Sequence, residues 1–303
     1  MKETVLISGA TGFLGSSLVK RFLQENYTVI GIKRKKSNLE RLKNELNNKS
    51  LYLYNSDSDS LEKAFSNHNI DAVIHTACCY GRAGESFVSI ANTNILFGLE
   101  LLELTKKYYS RVFINTDTLL PKNVSTYALS KKQFTEWLKQ TAGDTKIVNI
   151  KPEHLYGIGD DDTKFIGMLL TKLKQHTDII PLTKGTQFRD FIYITDVTEA
   201  YMAVYKNISL FDVFTEFEVG TGNSIPVRMF VDEFIKQYKL SDPECKTQAG
   251  FGLISYRENE LMNVNIKINP LRQLGWEAAV NYKDGIKKII NAQSHKKVIY
   301  NGF

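Results

Sequence analysis

The chain opens on an apolar run, Thr4–Ser8, followed by a glycine-spaced turn and then by Phe13–Gln24, where apolar residues recur at helical spacing. This reads as strand, loop, helix. The alternation continues with a strand at 27–33, a helix at 38–46, a strand at 51–54, a helix at 60–67 and a strand at 72–76. A long helix over 85–109 then leads to a strand at Val112–Thr116, a helix at 127–140 and a strand at 146–151. Strands that are apolar throughout are buried on both faces, and strands separated by helices pair in parallel. The predicted class is therefore α/β, a Rossmann-type doubly wound parallel sheet.

After Pro152 the rhythm breaks into an acidic loop, Asp160-Asp161-Asp162, a helix at 165–174 and a hairpin-like stretch around Gly185. Residues 188–194 and a helix from about Thr195 are expected to rejoin the main sheet. The predicted division puts 1–158 and about 187–210 in the sheet domain, and about 159–186 with 211–303 in a smaller, interwoven C-terminal lobe. A ligand cleft is expected at the carboxyl ends of the strands.

Composition changes this picture little. With 43% hydrophobic and 24% charged residues and 6 prolines, the chain fits neither a disordered nor a collagen-like class. No apolar leader follows the start and no apolar run reaches about 18 residues, so a cytoplasmic protein without membrane insertion is expected. Three cysteines make no disulfide framework and no metal-ligand spacing occurs, so free thiols and no metal are expected, with Cys78 and Cys79 as small core fillers. The net charge of +6 raises the question of nucleic acid. The lysine pairs at 106–107, 131–132, 287–288 and 296–297 are scattered in helical contexts and read as solvated faces, so no nucleic-acid partner is expected. The run Lys33-Arg34-Lys35-Lys36 is the exception, because of where it sits.

The turn after the first strand is Gly9-Ala10-Thr11-Gly12-Phe13-Leu14-Gly15. In that position Gly9 permits the tight turn, Gly12 lets backbone approach a pyrophosphate, and Gly15 lets the helix pack against the sheet. The positive end of the helix attracts the phosphates. An NAD site usually carries a carboxylate at the end of the second strand for the ribose 2′-hydroxyl. Here there are four cations, which suit a 2′-phosphate, with Arg34 the main contact and Lys35 secondary. The cofactor expected is NADP(H).

Tyr127 and Lys131 are four apart in a helical stretch and share one face. An ammonium at about 4 Å and an effective dielectric of about 20 contributes roughly 4 kcal/mol toward phenolate, so Lys131 is expected to lower the Tyr127 pKa. Thr116 ends the preceding strand, where its hydroxyl can hydrogen-bond a substrate carbonyl while Tyr127 transfers the proton.

Taken together, these features resemble the extended short-chain dehydrogenase/reductase family of nucleotide-sugar epimerases, dehydratases and reductases. The likeness spans nearly the whole chain. It rests on the glycine turn, His75-Thr76-Ala77, Asn94, Thr116, Tyr127 with Lys131, and Lys151-Pro152-Glu153-His154-Leu155-Tyr156-Gly157. It extends through Gln187-Phe188-Arg189-Asp190-Phe191, Val219-Gly220-Thr221-Gly222 and Leu274-Gly275-Trp276. The resemblance implies a nucleoside-diphosphate sugar partner and a homodimer formed through the two long helices. It adds Asp57, Thr76, Ala77, Asn94 and Pro152 to the cofactor contacts. Arg189 and Arg257 would hold the diphosphate, and His154 stands where the family usually has Asn.

Three departures narrow the reaction. Thr116-Asp117-Thr118 is similar to the Thr-Asp-Glu of 4,6-dehydratases without its glutamate, which disfavours dehydration while keeping Asp117 and Thr118 as substrate contacts. The segment to Tyr127 is short, with Leu119-Leu120-Pro121 replacing the usual Val-Tyr-Gly. The basic strand end suits an exchangeable NADPH. The chain thus resembles the 4-ketoreductases of the CDP-abequose synthase type, with Tyr80 and Arg82 facing the sugar. The implied reaction is reduction of the C4 ketone of a CDP- or dTDP-linked 4-keto-6-deoxyhexose, with a 3,6-dideoxy form open, for O-antigen or related polysaccharide. An NAD(P)-dependent C4 epimerase remains an alternative, as does a dinucleotide-sensing regulator, though Tyr127 and Lys131 are both retained.

Overall fold

The computed structural model describes residues 2–300, with side chains to residue 293. The lysine pair 296–297 lies outside the described side chains. The chain forms two compact units, one of Met1–Pro152, Thr198–Glu218 and Asn269–Trp276, the other of Glu153–Val197, Val219–Ile268 and Glu277–Phe303.

The first unit is built on strands β1 (Thr4–Ser8), β2 (Thr28–Lys33), β3 (Leu51–Asn55), β4 (Ala72–His75), β5 (Val112–Thr116) and β6 (Lys146–Pro152). Between them run helices α1 (Phe13–Gln24), α2 (Ser58–Asn67), α3 (Phe87–Ala91), α4 (Phe97–Lys107) and α5 (Thr126–Thr141), with a π-helical turn, Asn92–Leu96, joining α3 to α4. The strands lie in the order β3-β2-β1-β4-β5-β6, all parallel, with Phe214–Val219 completing a seven-stranded sheet beside β6. Val5 pairs with Val29 on one side and Ala72 on the other, so β1 is central and every one of its residues is buried. This is the doubly wound α/β fold, with the strand order reversing at β1.

Burial explains which helices form. In α1, Leu18, Val19, Phe22 and Leu23 bury one stripe, and in α5, Ala128, Phe134 and Leu138 do the same. Ser125 caps α5 through the Ala128 amide at 3.1 Å. The stretch Phe87–Lys107 is long and apolar enough to cross a membrane by length and composition alone. Part of that apolarity is used in packing, since Leu101, Leu102 and Leu104 join the core beneath the sheet.

Four expectations are corrected. Residues 38–46 hold only a short 3-10 turn, Glu40–Leu42. The Asn38 side chain accepts from the Glu40 amide at 2.7 Å, and Leu42 is fully buried whereas Leu46 is exposed. One anchoring residue beside a competing turn does not offset helix nucleation. There is no hairpin around Gly185: β8 (Ile179–Leu182) pairs in parallel with Gln248–Phe251, and β9 (Phe188–Arg189) antiparallel with Ile225–Pro226. Residues 188–194 do not rejoin the main sheet either. β10 (Phe191–Tyr193) pairs with β7 (His154–Tyr156), and Asp190 is held by the Thr221 and Gly222 amides at 2.8 and 2.7 Å, which ties the segment to the second unit. The seventh sheet strand, β11, is Phe214–Val219, from a region expected in the other lobe.

The second unit has an aromatic centre. Phe191 stacks on Phe230 of helix Val227–Ser241 at 3.9 Å, and Tyr156 meets both rings edge-on. Such packing is worth about 0.5–1.5 kcal/mol per pair beyond area burial.

Candidate active site

The glycine turn is a close-packed cradle. Gly9 has φ +67°, and a Cβ there would fall 2.8 Å from the Ala77 amide nitrogen. A Cβ on Gly15 would fall 2.1 Å from the Gly9 carbonyl oxygen and 2.9 Å from Thr76 Oγ1. Thr76 itself donates to the Ser8 carbonyl at 2.7 Å, so Thr76 and Ala77 form the wall behind the turn. Gly12 occupies the N-cap of α1 and no side chain caps it. That end of the helix is suited to a diphosphate rather than to a protein carboxylate, and residues 9–15, Thr11, Phe13 and Leu14 among them, fit a dinucleotide. Arg41, which the sequence reading did not single out, donates to the Thr11 carbonyl at 3.4 Å.

At the end of β2, Arg34 and Lys35 are exposed, while Lys33 is half-buried and donates to Asn55 Oδ1 at 3.0 Å. The Asp57 side chain accepts from the Ser60 amide at 3.0 Å as the N-cap of α2. The Ser60 hydroxyl and then its amide, with a small contribution from Lys35, hold the Asp57 carboxyl below the ordinary range. Asn94 differs from expectation. It is fully buried, its amide accepting from Cys79 N at 2.7 Å and donating to Cys79 O and Ser130 Oγ, both at 2.9 Å. It sits in the π-turn and fastens the loop after β4 to α5.

Tyr127 and Lys131 lie on α5, Lys131 almost wholly buried and Tyr127 half-buried. Lys131 is therefore not part of a solvated face. The expected pKa ordering is reversed for Tyr127. Burial, followed by Cys78 and Asp117, pushes the phenol well above its usual value, because desolvation disfavours the phenolate. Burial also lowers the Lys131 ammonium. Tyr127 is thus a neutral hydroxyl, suited to giving a proton. Tyr80 packs against it, ring centroids 4.8 Å apart, with the Arg82 guanidinium 4.9 Å from the Tyr80 ring centre. Cys78, expected as a core filler, is half-buried and contributes to the electrostatics of Tyr80, Tyr127 and Lys131.

Thr116 closes β5, and its hydroxyl lies 2.7 Å from the Tyr201 hydroxyl, whose ring is fully buried. Asp117 and Thr118, expected against substrate, turn inward. The Asp117 carboxylate binds Lys132 at 2.9 Å, Thr135 Oγ1 at 3.1 Å and Asn149 at 3.2 Å. Lys132 also donates to the Thr118 carbonyl, and Thr118 Oγ1 accepts from Leu120 N at 3.2 Å. All three bonds fall on Oδ2, so that oxygen, on a side chain 1% exposed, anchors the strand end to α5, while Oδ1 is buried with no protein partner. Lys132, expected on a solvated helix face, is instead half-buried and paired with Asp117.

In the second unit, Arg189 is buried and donates to the Leu261 carbonyl at 2.6 Å and to Glu260. Arg257, half-exposed, pairs with the same carboxylate at 2.6 Å. His154 packs edge-on to Phe191 and its amide donates to the Asp190 carbonyl at 3.2 Å. Pro152 ends β6.

Residues 5–220 match the model of the NAD dependent epimerase/dehydratase family. The chain belongs to that family. It is 30% identical over 302 residues to the CDP-abequose synthase of Salmonella typhimurium, covering 96% of this chain and 98% of that one. Among solved structures it is similar to the UDP-glucose 4-epimerase of Thermotoga maritima with UDP-glucose (TM-score 0.82, 21% identity, 97% and 99% covered). It is also similar to MoeE5 in complex with UDP-glucose and NAD (TM-score 0.79, 20% identity, 97% and 99% covered). These two likenesses concern the fold. Family membership makes this an oxidoreductase-type, nucleotide-sugar-modifying enzyme that works with a nicotinamide dinucleotide.

Proposed function

We propose that the protein reduces the C4 ketone of a CDP- or dTDP-linked 4-keto-6-deoxyhexose, 3,6-dideoxy forms included, with NADPH, in the cytoplasm and in the service of deoxysugar or O-antigen synthesis. The observation that carries the reading is Tyr127, its phenol kept neutral by burial, in the electrostatic neighbourhood of Tyr201, whose hydroxyl lies 2.7 Å from that of the strand-end Thr116. A ketone becoming an alcohol needs an acid for its oxygen, and a phenol kept protonated is that acid. Similarity to CDP-abequose synthase, 30% identity over 96% of this chain, supports the same reading.

In this mechanism residues 9–15 hold the diphosphate of the dinucleotide, Arg34 and Lys35 its 2′-phosphate, and Asp57, Thr76, Ala77 and Pro152 line its path. The bound cofactor supplies the hydride to C4. Thr116 aligns the ketone oxygen by a hydrogen bond, Tyr127 protonates that oxygen, and the Lys131 charge beside it eases reprotonation of the phenol from solvent. Tyr80 and Arg82 meet the sugar. Arg257, supported by Arg189 and His154, takes the nucleoside diphosphate, its guanidinium exchanging Glu260 for phosphate oxygens. The unit built on the seven-stranded sheet is the NADP-binding one, and the other binds the nucleotide sugar. The working form is a homodimer.

The test is turnover of CDP-, dTDP- and GDP-4-keto-6-deoxy sugars with NADPH, followed by loss of its near-ultraviolet absorbance and NMR of the product. Stoichiometric consumption supports the reading. Interconversion of C4 epimers without net consumption would replace it with the epimerase. Replacing Arg34 and Lys35 by glutamate should raise KM for NADPH at least about tenfold while sparing NADH, since each lost charge-assisted contact costs about 1.5 kcal/mol or more. Equal effects on both cofactors would refute NADPH preference.

A further inference from the structure

We infer that Tyr201 is a positioning residue for the proposed reduction, holding the Thr116 hydroxyl by a hydrogen bond so that its proton is presented to the ketone oxygen. The inference rests on the reading given under the preceding heading and adds a residue to it. Tyr201 lies on the helix Ile194–Lys206, 85 residues from Thr116 in sequence, and its hydroxyl stands 2.7 Å from Thr116 Oγ1.

The direction of this bond follows from chemistry. A phenol is a stronger donor than an aliphatic alcohol, and its oxygen is a weaker acceptor because a lone pair is shared with the ring. The Tyr201 ring is fully buried, so an undonated O–H there would be left without water. Tyr201 therefore donates and Thr116 Oγ1 accepts, which leaves the threonine's own proton for the substrate. Thr116 is half-buried, so it is accessible where Tyr201 is not. A hydroxyl that accepts one hydrogen bond becomes a better donor in the next. Burial raises the Tyr201 pKa well above that of a free phenol, which keeps the donor protonated throughout the working pH range.

The helix that carries Tyr201 is fixed at two further points. Glu199 accepts from Arg21 of α1 at 2.5 Å, and Tyr205 donates to Glu3 at 2.6 Å. Tyr201 thus meets Thr116 from a rigid support, as a positioning group must. Tyr127 lies in the same electrostatic neighbourhood, Tyr201 contributing to its raised pKa. The two phenols have separate tasks: Tyr127 gives its proton to the substrate, and Tyr201 keeps its own.

The experiment is a double-mutant cycle on the full-length enzyme, with the keto-sugar nucleotide that the wild type turns over. Tyr201→Phe should lower kcat about tenfold with KM within about twofold, and Thr116→Val should lower it further. In the Thr116→Val background, Tyr201→Phe should have no added effect, because Tyr201 acts only through that hydroxyl. p-Aminophenylalanine at position 201 keeps a donor and should restore most of the rate; it also serves as the folding-competent comparison if Tyr201→Phe is unstable. A multiplicative double variant, or a Tyr201→Phe enzyme with wild-type kcat, would overturn the inference and leave the reductase reading standing. Absence of turnover by the wild type with every keto sugar would remove the reductase reading and this inference with it.

Discussion

Tyr127 shows how far residue type and spacing carry a mechanism and where environment takes over. The four-residue offset from Lys131 was readable, and α5 carries both residues. The sign of the pKa shift was not, because desolvation depends on every atom packed around the phenol and not on its partner four residues away. The consequence is a pH profile. An acid must carry its proton to act, so a raised pKa keeps kcat for reduction level between pH 6 and about 9, with loss only above the ordinary phenol range near about 10. Saturating-substrate assays across that interval check it, and a decline centred near pH 8 would restore the lysine-lowered phenol. Tyr127→Phe should reduce kcat by about a hundredfold to ten-thousandfold at nearly constant KM. Asp117 carries the same lesson in another form. Its place after Thr116 suggested substrate; Lys132, Thr135 and Asn149 engage one of its two oxygens, and only the packing of α5 against β5 and β6 brings those three together.

At the scale of elements, the β1–α1 junction is the most demanding piece of local geometry. A methyl group on Gly15 would sit 2.1 Å from the Gly9 carbonyl oxygen, 2.7 Å from its carbon and 2.9 Å from Thr76 Oγ1, so backbone and not only a flexible side chain would have to shift. Gly15→Ala should destabilise the fold by about 1–3 kcal/mol and abolish dinucleotide binding, measured by thermal unfolding and by nucleotide fluorescence quenching. The α3–α4 helix supplies a second case. Its long apolar pattern was plain, but the π-turn at Asn92–Leu96 was not, since one extra residue in a turn leaves hydrophobic periodicity almost unchanged. The turn carries Asn94, and Asn94→Ala would strip both partners from the Cys79 backbone. The expected cost is about 1–3 kcal/mol in stability, from denaturant unfolding, together with a fall in kcat as the loop bearing Tyr80 and Arg82 loosens. Unchanged kcat would confine Asn94 to a purely structural role.

At the scale of the molecule, exposed apolar side chains gather on two helices of the first unit. Phe87 and Val88 on α3, Leu96 in the π-turn, and Leu129 and Trp137 on α5 are all exposed, Phe87 by 77%. Exposed apolar side chains on neighbouring elements of this kind are suited to self-association. Trp137→Glu should convert a dimer to monomer in sedimentation velocity while changing monomer stability by no more than about 0.5 kcal/mol, as for other exposed positions. A wild-type chain that sediments as a monomer would end the dimer proposal.

The amino-acid sequence by itself determined the doubly wound sheet through β6, the glycine turn and the placing of Tyr127 and Lys131 one helical turn apart on α5. These are local properties, set by the two-residue and 3.6-residue periods of side-chain direction and by what glycine permits. Tertiary structure alone decided that Phe214–Val219 is the seventh strand, that Asp117 is anchored inward, and that Tyr201 meets Thr116. Each of these depends on residues far apart in the chain meeting in one place, and on how much water their meeting excludes.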